Sequence, residues 1–512
     1  MVSTTYPSGK TIRYGLSSIK RPLTVDLENG ANTTRLASTI SYRPFGGMQR
    51  LDYDNGLQTL IGWDLDYRQI NTRDLPVQEL RYFYDAADNI SEIRDLVDST
   101  KTQTFAYDNL DRITGASGIY GNLGYTYDGV GNRLTLTENG DTDSYLYDSA
   151  RNQIERVTST SGEVTNYSHN DAGSIRRIGD DFYSYGQYER LLRTTIGGVA
   201  TDYRYDGQGR RAIKLSASIG EVIYHYNLDG LLISETTSSG ATIREYVYID
   251  GQPLALLENG QIYYYHLNHL GTPQKLTNAN QEIVWQGDYK PFGEANLVTE
   301  VVVNNIRFPG QYFDQESGLH YNYFRDFDPS SGRFVQSDPI GLGSGPNTYG
   351  YALQNPIAKY DPDGLEVRLL CRPLDGTLAR TGRQHCFVFV TCPEEGWSAT
   401  YSLFATGTNS VGWPNRGRKS ADDRRDNPFS QKVASNGVAS PNQCYSEQCG
   451  FEKAVRNRYD SFPSGDVPYN PFGPNSNSFA NDLIVGAGGS LPSNAPGPRI
   501  APGINQRHPN FP

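Results

Sequence analysis

A tyrosine returns about every 20 residues through the first half of the chain, at Tyr107, Tyr127, Tyr147, Tyr167, Tyr185, Tyr205, Tyr226 and Tyr248. Four of these are followed directly by aspartate. A fixed period of this length marks a repeat array, in which each unit buries its apolar face only against its neighbours. The unit is legible in Tyr125-Thr-Tyr-Asp-Gly-Val-Gly-Asn-Arg-Leu134 and again in Tyr203-Arg-Tyr-Asp-Gly-Gln-Gly-Arg-Arg-Ala212. Aromatic and β-branched residues at period two fit a pleated strand, and Asp-x-x-Gly supplies a side-chain-bonded, positive-φ turn. Each unit is therefore a β-hairpin. A lone hairpin cannot shield its tyrosines from water, so consecutive units must pair edge to edge into one long sheet.

Composition divides the chain near residue 365. The part up to that point holds 33 of the 37 tyrosines and no cysteine, whereas the rest holds Cys371, Cys386, Cys392, Cys444 and Cys449. Formal charge divides there too, at −14 before residue 366 and +3 after it. An acidic array argues against nucleic-acid binding by the repeats. No stretch approaches the ~18 apolar residues of a membrane span, and the first residues lack the apolar run of a signal peptide.

A second set of motifs follows the repeats: His266-Leu-Asn-His-Leu-Gly-Thr-Pro273, Tyr289-Lys-Pro-Phe-Gly293, Phe308-Pro-Gly-Gln-Tyr312, Gly318-Leu-His-Tyr-Asn-Tyr-Phe324, Ser337-Asp-Pro-Ile-Gly-Leu342, Asn347-Thr-Tyr-Gly-Tyr351, Asn355-Pro356 and Asp361-Pro-Asp-Gly-Leu365. In content and order these blocks, with the Tyr-Asp units before them, resemble the RHS family of YD-repeat proteins. That family includes bacterial polymorphic toxins, Tc-toxin shells and the teneurins. The resemblance covers about residues 1–365 and implies a mostly β fold, a spiral, shell-like sheet. It divides the chain into YD repeats (1–260), an RHS-associated core (261–365) and a variable, usually toxic, cargo domain (366–512), expected to be small and α+β. RHS proteins carry a long region before the core, so the chain is expected to be a C-terminal piece. The resemblance further implies delivery to a target cell by a type VI or similar secretion apparatus acting through that missing region, and a cognate immunity protein. No cofactor is expected.

The same resemblance implies a self-cleavage site: Arg325, Asp338 and Asp361 fall in the blocks where the family's arginine and two aspartates perform one autoproteolysis, with Leu365–Glu366 as the scissile bond. Two carboxylates brought close can share a proton, so that one activates water while the other donates. A guanidinium can hold one carboxylate or stabilise an oxyanion. Read from the residues alone, Asp-Pro is also a common turn former. His266 and His269 lack a third ligand nearby and read as structural rather than metal-binding.

After Leu365, strands are expected at Glu366–Cys371, Gln384–Val390 and Ser398–Phe404, a loop across Asn415–Ala439, and helices at Cys449–Tyr459 and Ser478–Val485. His385 on a strand, with Ser476 and Ser478 near a helix start, weakly resembles circularly permuted papain-like hydrolases and acyltransferases, whose nucleophile is cysteine. The alternative roles are a core histidine and helix caps. A nucleic-acid-directed cargo is the competing reading, from Arg416-Gly-Arg-Lys419 and Arg424-Arg425, although Asp422, Asp423 and Asp426 interleave those cations. A non-enzymatic adhesive shell is a third.

Overall fold

The computed structural model describes residues 2–44, 47–339, 341 and 346–362, together with the backbone of seven strands between 367 and 490. Contacts divide the chain into two units, one comprising Met1–Ser337 with Asn347–Gly364, the other Asp338–Pro346 with Leu365–Pro512.

The first unit is built on a 29-stranded sheet running from Val2–Thr5 to Ala295–Glu300. Each strand pairs antiparallel with the strand before and after it in the chain, as where Gly121–Tyr127 pairs with Ile113–Gly118 and Arg133–Glu138. Alternation is visible in the burial of Val199–Tyr205, where Thr201 and Tyr203 face inward and Arg204 faces water. The expected hairpins are therefore present, and their turns have the expected chemistry. In the Asp206 turn, Oδ1 accepts the amides of Gln208 (2.8 Å) and Arg210 (2.9 Å), Oδ2 accepts Arg210 Nε (2.8 Å), and Gly209 takes φ +73°. Asp64, Asp108 and Asp128 repeat the two amide contacts, and Asn227 and Asn268 do the same with an amide oxygen. The turn inserts a bulge, so the register shifts at the strand's last tyrosine, as at Arg204/Tyr205 and Thr126/Tyr127.

That last tyrosine ties one unit to the previous one. The hydroxyls of Tyr84, Tyr107, Tyr185, Tyr205 and Tyr226 donate to the carbonyls of Gln69, Ile90, Ile175, Leu191 and Arg211, at 2.7–2.8 Å. Each acceptor is the first residue of a preceding strand. The sheet also winds back on itself. Tyr6, Tyr14 and Tyr53 donate to the carbonyls of Tyr246, Tyr248 and Tyr265, between 212 and 240 residues away. One core cluster accordingly joins Tyr6–Val77 to Ile233–Tyr264.

The stretch after residue 300 lies on one face of the middle strands. Its four-stranded antiparallel sheet comprises Tyr312–Phe313, His320–Asn322, Arg325–Asp328 and Arg333–Phe334. Phe327, Phe334 and Tyr351 pack with Leu80–Tyr125, Leu319 and Val335 pack with Tyr145–Tyr203, and Tyr312 and Tyr321 pack with Val222 and Tyr224. Polar contacts follow the same track. Asn355 bonds Asn89, Asn347 bonds Asn132, Arg333 bonds the Asn152 carbonyl and Tyr349 bonds the Gly173 carbonyl.

In the second unit the seven strands form one antiparallel sheet with Gln384–Cys392 near its middle, between Val367–Pro373 and Trp397–Thr408. The three expected strands are present. The expected loop is corrected: Pro414–Ala421 and Ala434–Pro441 are strands, pairing with Trp397–Thr408 and Val367–Pro373. Their polar sequences have little strand preference of their own, and pairing with long neighbouring strands outweighs it. The expected helices lie outside the described residues.

Replacing Tyr226 by Phe is expected to lower stability by about 1 kcal/mol, the net value of one such hydrogen bond. Asp206→Ala, which strips two amides and a guanidinium of their acceptor, is expected to cost about 1–3 kcal/mol. Asp206→Asn should stay closer to the parent, because Asn227 performs the same two amide contacts. Urea-unfolding midpoints followed by circular dichroism check all three.

Candidate functional site

Arg325 opens a strand whose register sets it opposite Asn322, across the two-residue turn Tyr323-Phe324. Tyr323 takes φ +54° there, and the tight reversal points both side chains at the same stretch of chain. Arg325 Nη2 donates to Asp361 Oδ2 at 2.9 Å, and Asn322 Nδ2 donates to the Asp361 carbonyl at 2.8 Å. The Arg325 guanidinium lies 3.5 Å over the Phe334 ring and donates through Nη1 to the Thr348 carbonyl. Arg325 and Asp361 are both buried, at 2% and 8% exposure. A charge-assisted bond in such surroundings is stronger and more geometrically demanding than its solvent-exposed counterpart.

Tyr351 closes another side. Burial, reinforced by the Asp361 carboxylate, holds its hydroxyl proton well above the ordinary phenol range. Gly310, at φ +81°, passes so close to Pro362 that a Cβ would sit 2.2 Å from the Pro362 carbonyl oxygen. Of the residues singled out in the sequence, Arg325 and Asp361 are thus brought together. Asp338 is buried, its carbonyl accepts from the Gly341 amide, and the preceding Ser337 bonds Thr348 through its hydroxyl at 2.9 Å. Leu365, Glu366, Ser476 and Ser478 lie outside the described residues. The backbone of His385 sits in the strand Gln384–Cys392, opposite Arg372.

The sequence reading missed Asn322, Thr348, Tyr351 and Gly310. All four belong to quoted motif blocks, so their signal was their position within those blocks rather than their residue type. His266 and His269 both have protein partners. His266 Nε2 bonds Thr277 Oγ1 at 2.9 Å, and His269 Nε2 donates to the Ile357 carbonyl at 2.7 Å while its ring packs 4.7 Å from Tyr82.

A model of the teneurin YD-shell family matches residues 64–344. Toxin protein Tse5 of Pseudomonas aeruginosa is 29% identical over 360 residues, covering 64% of this chain and 27% of Tse5. The tRNA3(Ser)-specific nuclease WapA of Bacillus spizizenii is 31% identical over 259 residues, covering 48% of this chain and 11% of WapA. The chain therefore spans about a quarter or less of the length of these relatives. Among solved structures, TcdB2-TccC3-TEV superposes with a TM-score of 0.56 at 23% identity, over 71% of this chain and 21% of that one. At that identity the likeness speaks for the fold.

Burial pushes His269 down to about 4 and, with Arg307 nearby, pushes His320 well below its ordinary value. Lys101, Lys275, Asp95 and Asp288 line the same small cavity as His269. The folded state keeps His269 neutral where the unfolded chain takes up a proton, so stability is lost as pH falls from about 6.5 towards 4. A depression from 6.5 to about 4 corresponds to roughly 3 kcal/mol for this residue. His269→Gln is expected to flatten the decline in melting temperature over that window, and a pH series of thermal melts checks it.

Proposed function

The chain belongs to the teneurin YD-shell family, and from that premise we propose that it is a shell-and-cargo toxin of the RHS type that releases its cargo by one aspartyl self-cleavage between Leu365 and Glu366. The observation that carries this reading is the buried Arg325–Asp361 pair, whose aspartate lies only four residues ahead of Leu365. In the reaction, water adds to the Leu365 carbonyl carbon and the bond to the Glu366 nitrogen breaks. A carboxylate and a carboxylic acid suffice for the proton transfers, the first taking a proton from water and the second giving one to the leaving amine. Asp361 and Asp338 supply the two groups, and Arg325 holds Asp361 and offsets negative charge as the tetrahedral oxyanion develops. A shell that only adheres has no use for such a group, and this disfavours the adhesive reading.

For the cargo, two readings stand on different observations. A papain-like hydrolase or acyltransferase rests on His385 as base, with Ser476 or Ser478 as nucleophile. A nucleic-acid-directed toxin draws support from relatives that share the shell, WapA among them and also the double-stranded DNA deaminase toxin A of Burkholderia cenocepacia. A cognate immunity protein and a delivery apparatus are the partners that either reading requires. No helix among the described residues is long and apolar enough to cross a membrane.

Mass spectrometry of the purified chain is expected to show a fragment beginning at Glu366, and Asp338→Asn or Asp361→Asn should leave the chain intact. Cleavage that persists in both variants would sink the mechanism. Expression in a bacterium, directed to the cytoplasm or the periplasm, is expected to arrest growth. Relief by His385→Ala and by Ser476→Ala supports the hydrolase, because a nucleophile and its base act as a unit. Relief by charge reversal at Arg424 and Arg425 instead supports the nucleic-acid target.

A further inference from the structure

We propose that Asn322 and Gly310 are positioning residues for the self-cleavage, forming with Arg325 a three-point clamp on Asp361-Pro362 that fixes the chain leading to the scissile bond. The proposal rests on the self-cleavage reading above. Asp361 is held at two separate places by residues paired across one hairpin, its carboxylate by Arg325 and its main-chain carbonyl by Asn322. Holding only the carboxylate would leave the backbone free to turn about it. Holding both the side chain and the carbonyl fixes the peptide plane that leads into Pro362.

Pro362 needs a different kind of hold, because it has no N–H to bond. Gly310 provides one by shape. Its backbone lies against Pro362, with space for a hydrogen where any other residue would place a Cβ 2.2 Å from the carbonyl oxygen and 2.7 Å from the Cα of Pro362. Its φ of +81° is also a conformation that glycine adopts without strain. Asn322 is fully buried, so its amide is a fixed donor rather than one shared with water. Hydrolysis of a single bond by fixed carboxylates tolerates little misplacement, and a shift of about 1 Å can cost on the order of 100-fold in rate.

The test follows cleavage of the full chain by mass spectrometry over time, from pH 5 to pH 8, with a thermal melt of each variant. Asn322→Asp keeps the shape but replaces the donor with an acceptor. It is expected to slow cleavage about 10- to 100-fold relative to the parent at pH 7 and to regain rate at pH 5, because full burial raises the introduced carboxyl above the ordinary aspartate range so that it takes up a proton there and donates to the Asp361 carbonyl. A purely structural loss would show no such recovery. Gly310→Ala should slow cleavage by a similar factor. Gly318→Ala is the control, since Gly318 has a comparable φ of +73° but open space where its Cβ would be, and it should cleave like the parent.

Asn322→Asp cleaving at the parent's rate at every pH overturns the clamp, as does a folded Asn322→Asp chain that stays uncut at pH 5. Gly310→Ala cleaving like Gly318→Ala overturns the part assigned to Gly310. A parent chain that does not cleave, or that cleaves equally as Asp361→Asn, removes the self-cleavage reading itself, and so is distinguishable from failure of the clamp.

Discussion

The bond from an Asp or Asn side chain to the amides two and four residues ahead sets the geometry on which the rest of the shell depends. It closes the turn, and the turn adds one residue to one side of the hairpin. A strand out of register by one residue turns every side chain to the wrong face. Repeated along the sheet at Asp128, Asp206 and Asn227, the same turn sends Tyr125, Tyr203 and Tyr224 to the buried side. The bulge places the next tyrosine where its hydroxyl reaches the previous unit's carbonyl. Local turn chemistry thereby produces a long-range surface, an aromatic inner face on which the later segment is packed.

Cations in the repeats hold that segment. Arg133 donates to the Ser330 carbonyl and is surrounded by Tyr125, Tyr145 and Phe292, and Arg190 donates to the Tyr323 carbonyl beside Phe324. Arg211 pairs with Asp314 and Asp326, and Lys214 with Asp314 and the half-buried Glu316, the other four being deeply buried. Burial raises the Asp326 carboxyl above its usual range, and Arg211 opposes that rise. Taking such charges out of water costs several kcal/mol per ion before pairing offsets it. The network is therefore better understood as specifying where the segment docks than as a source of stability. A misdocked segment would leave Arg211 or Asp314 buried without a partner, which is far costlier than a poorly packed tyrosine.

Much of this was legible in the chain because its signals are local. Strand period, turn residues and the placing of Arg325 and Asp361 in matching blocks all follow from stretches of ten residues or fewer. The winding that brings Tyr6 to Tyr246 was not legible in detail, since contacts over 240 residues leave no periodic trace. Nor were Asn322 and Gly310 as partners of Asp361, because an asparagine in a strand and a glycine in a turn have ordinary explanations until the third segment is seen beside them. The polar strand Pro414–Ala421 escaped for a related reason, as its pairing partner rather than its own composition makes it a strand.

Because each strand of the large sheet pairs with its immediate neighbours in the chain, most of the wall has low contact order and can form progressively as it leaves the ribosome. The inner segment cannot. Its partners are spread from Leu80 to Tyr224, so it docks only once a broad stretch of wall exists. Asp361 reaches Arg325 later still, as nearly the last part of the unit to be made. The order of synthesis thus works as a clock, in which the Arg325–Asp361 pair is completed only after the surface supporting it.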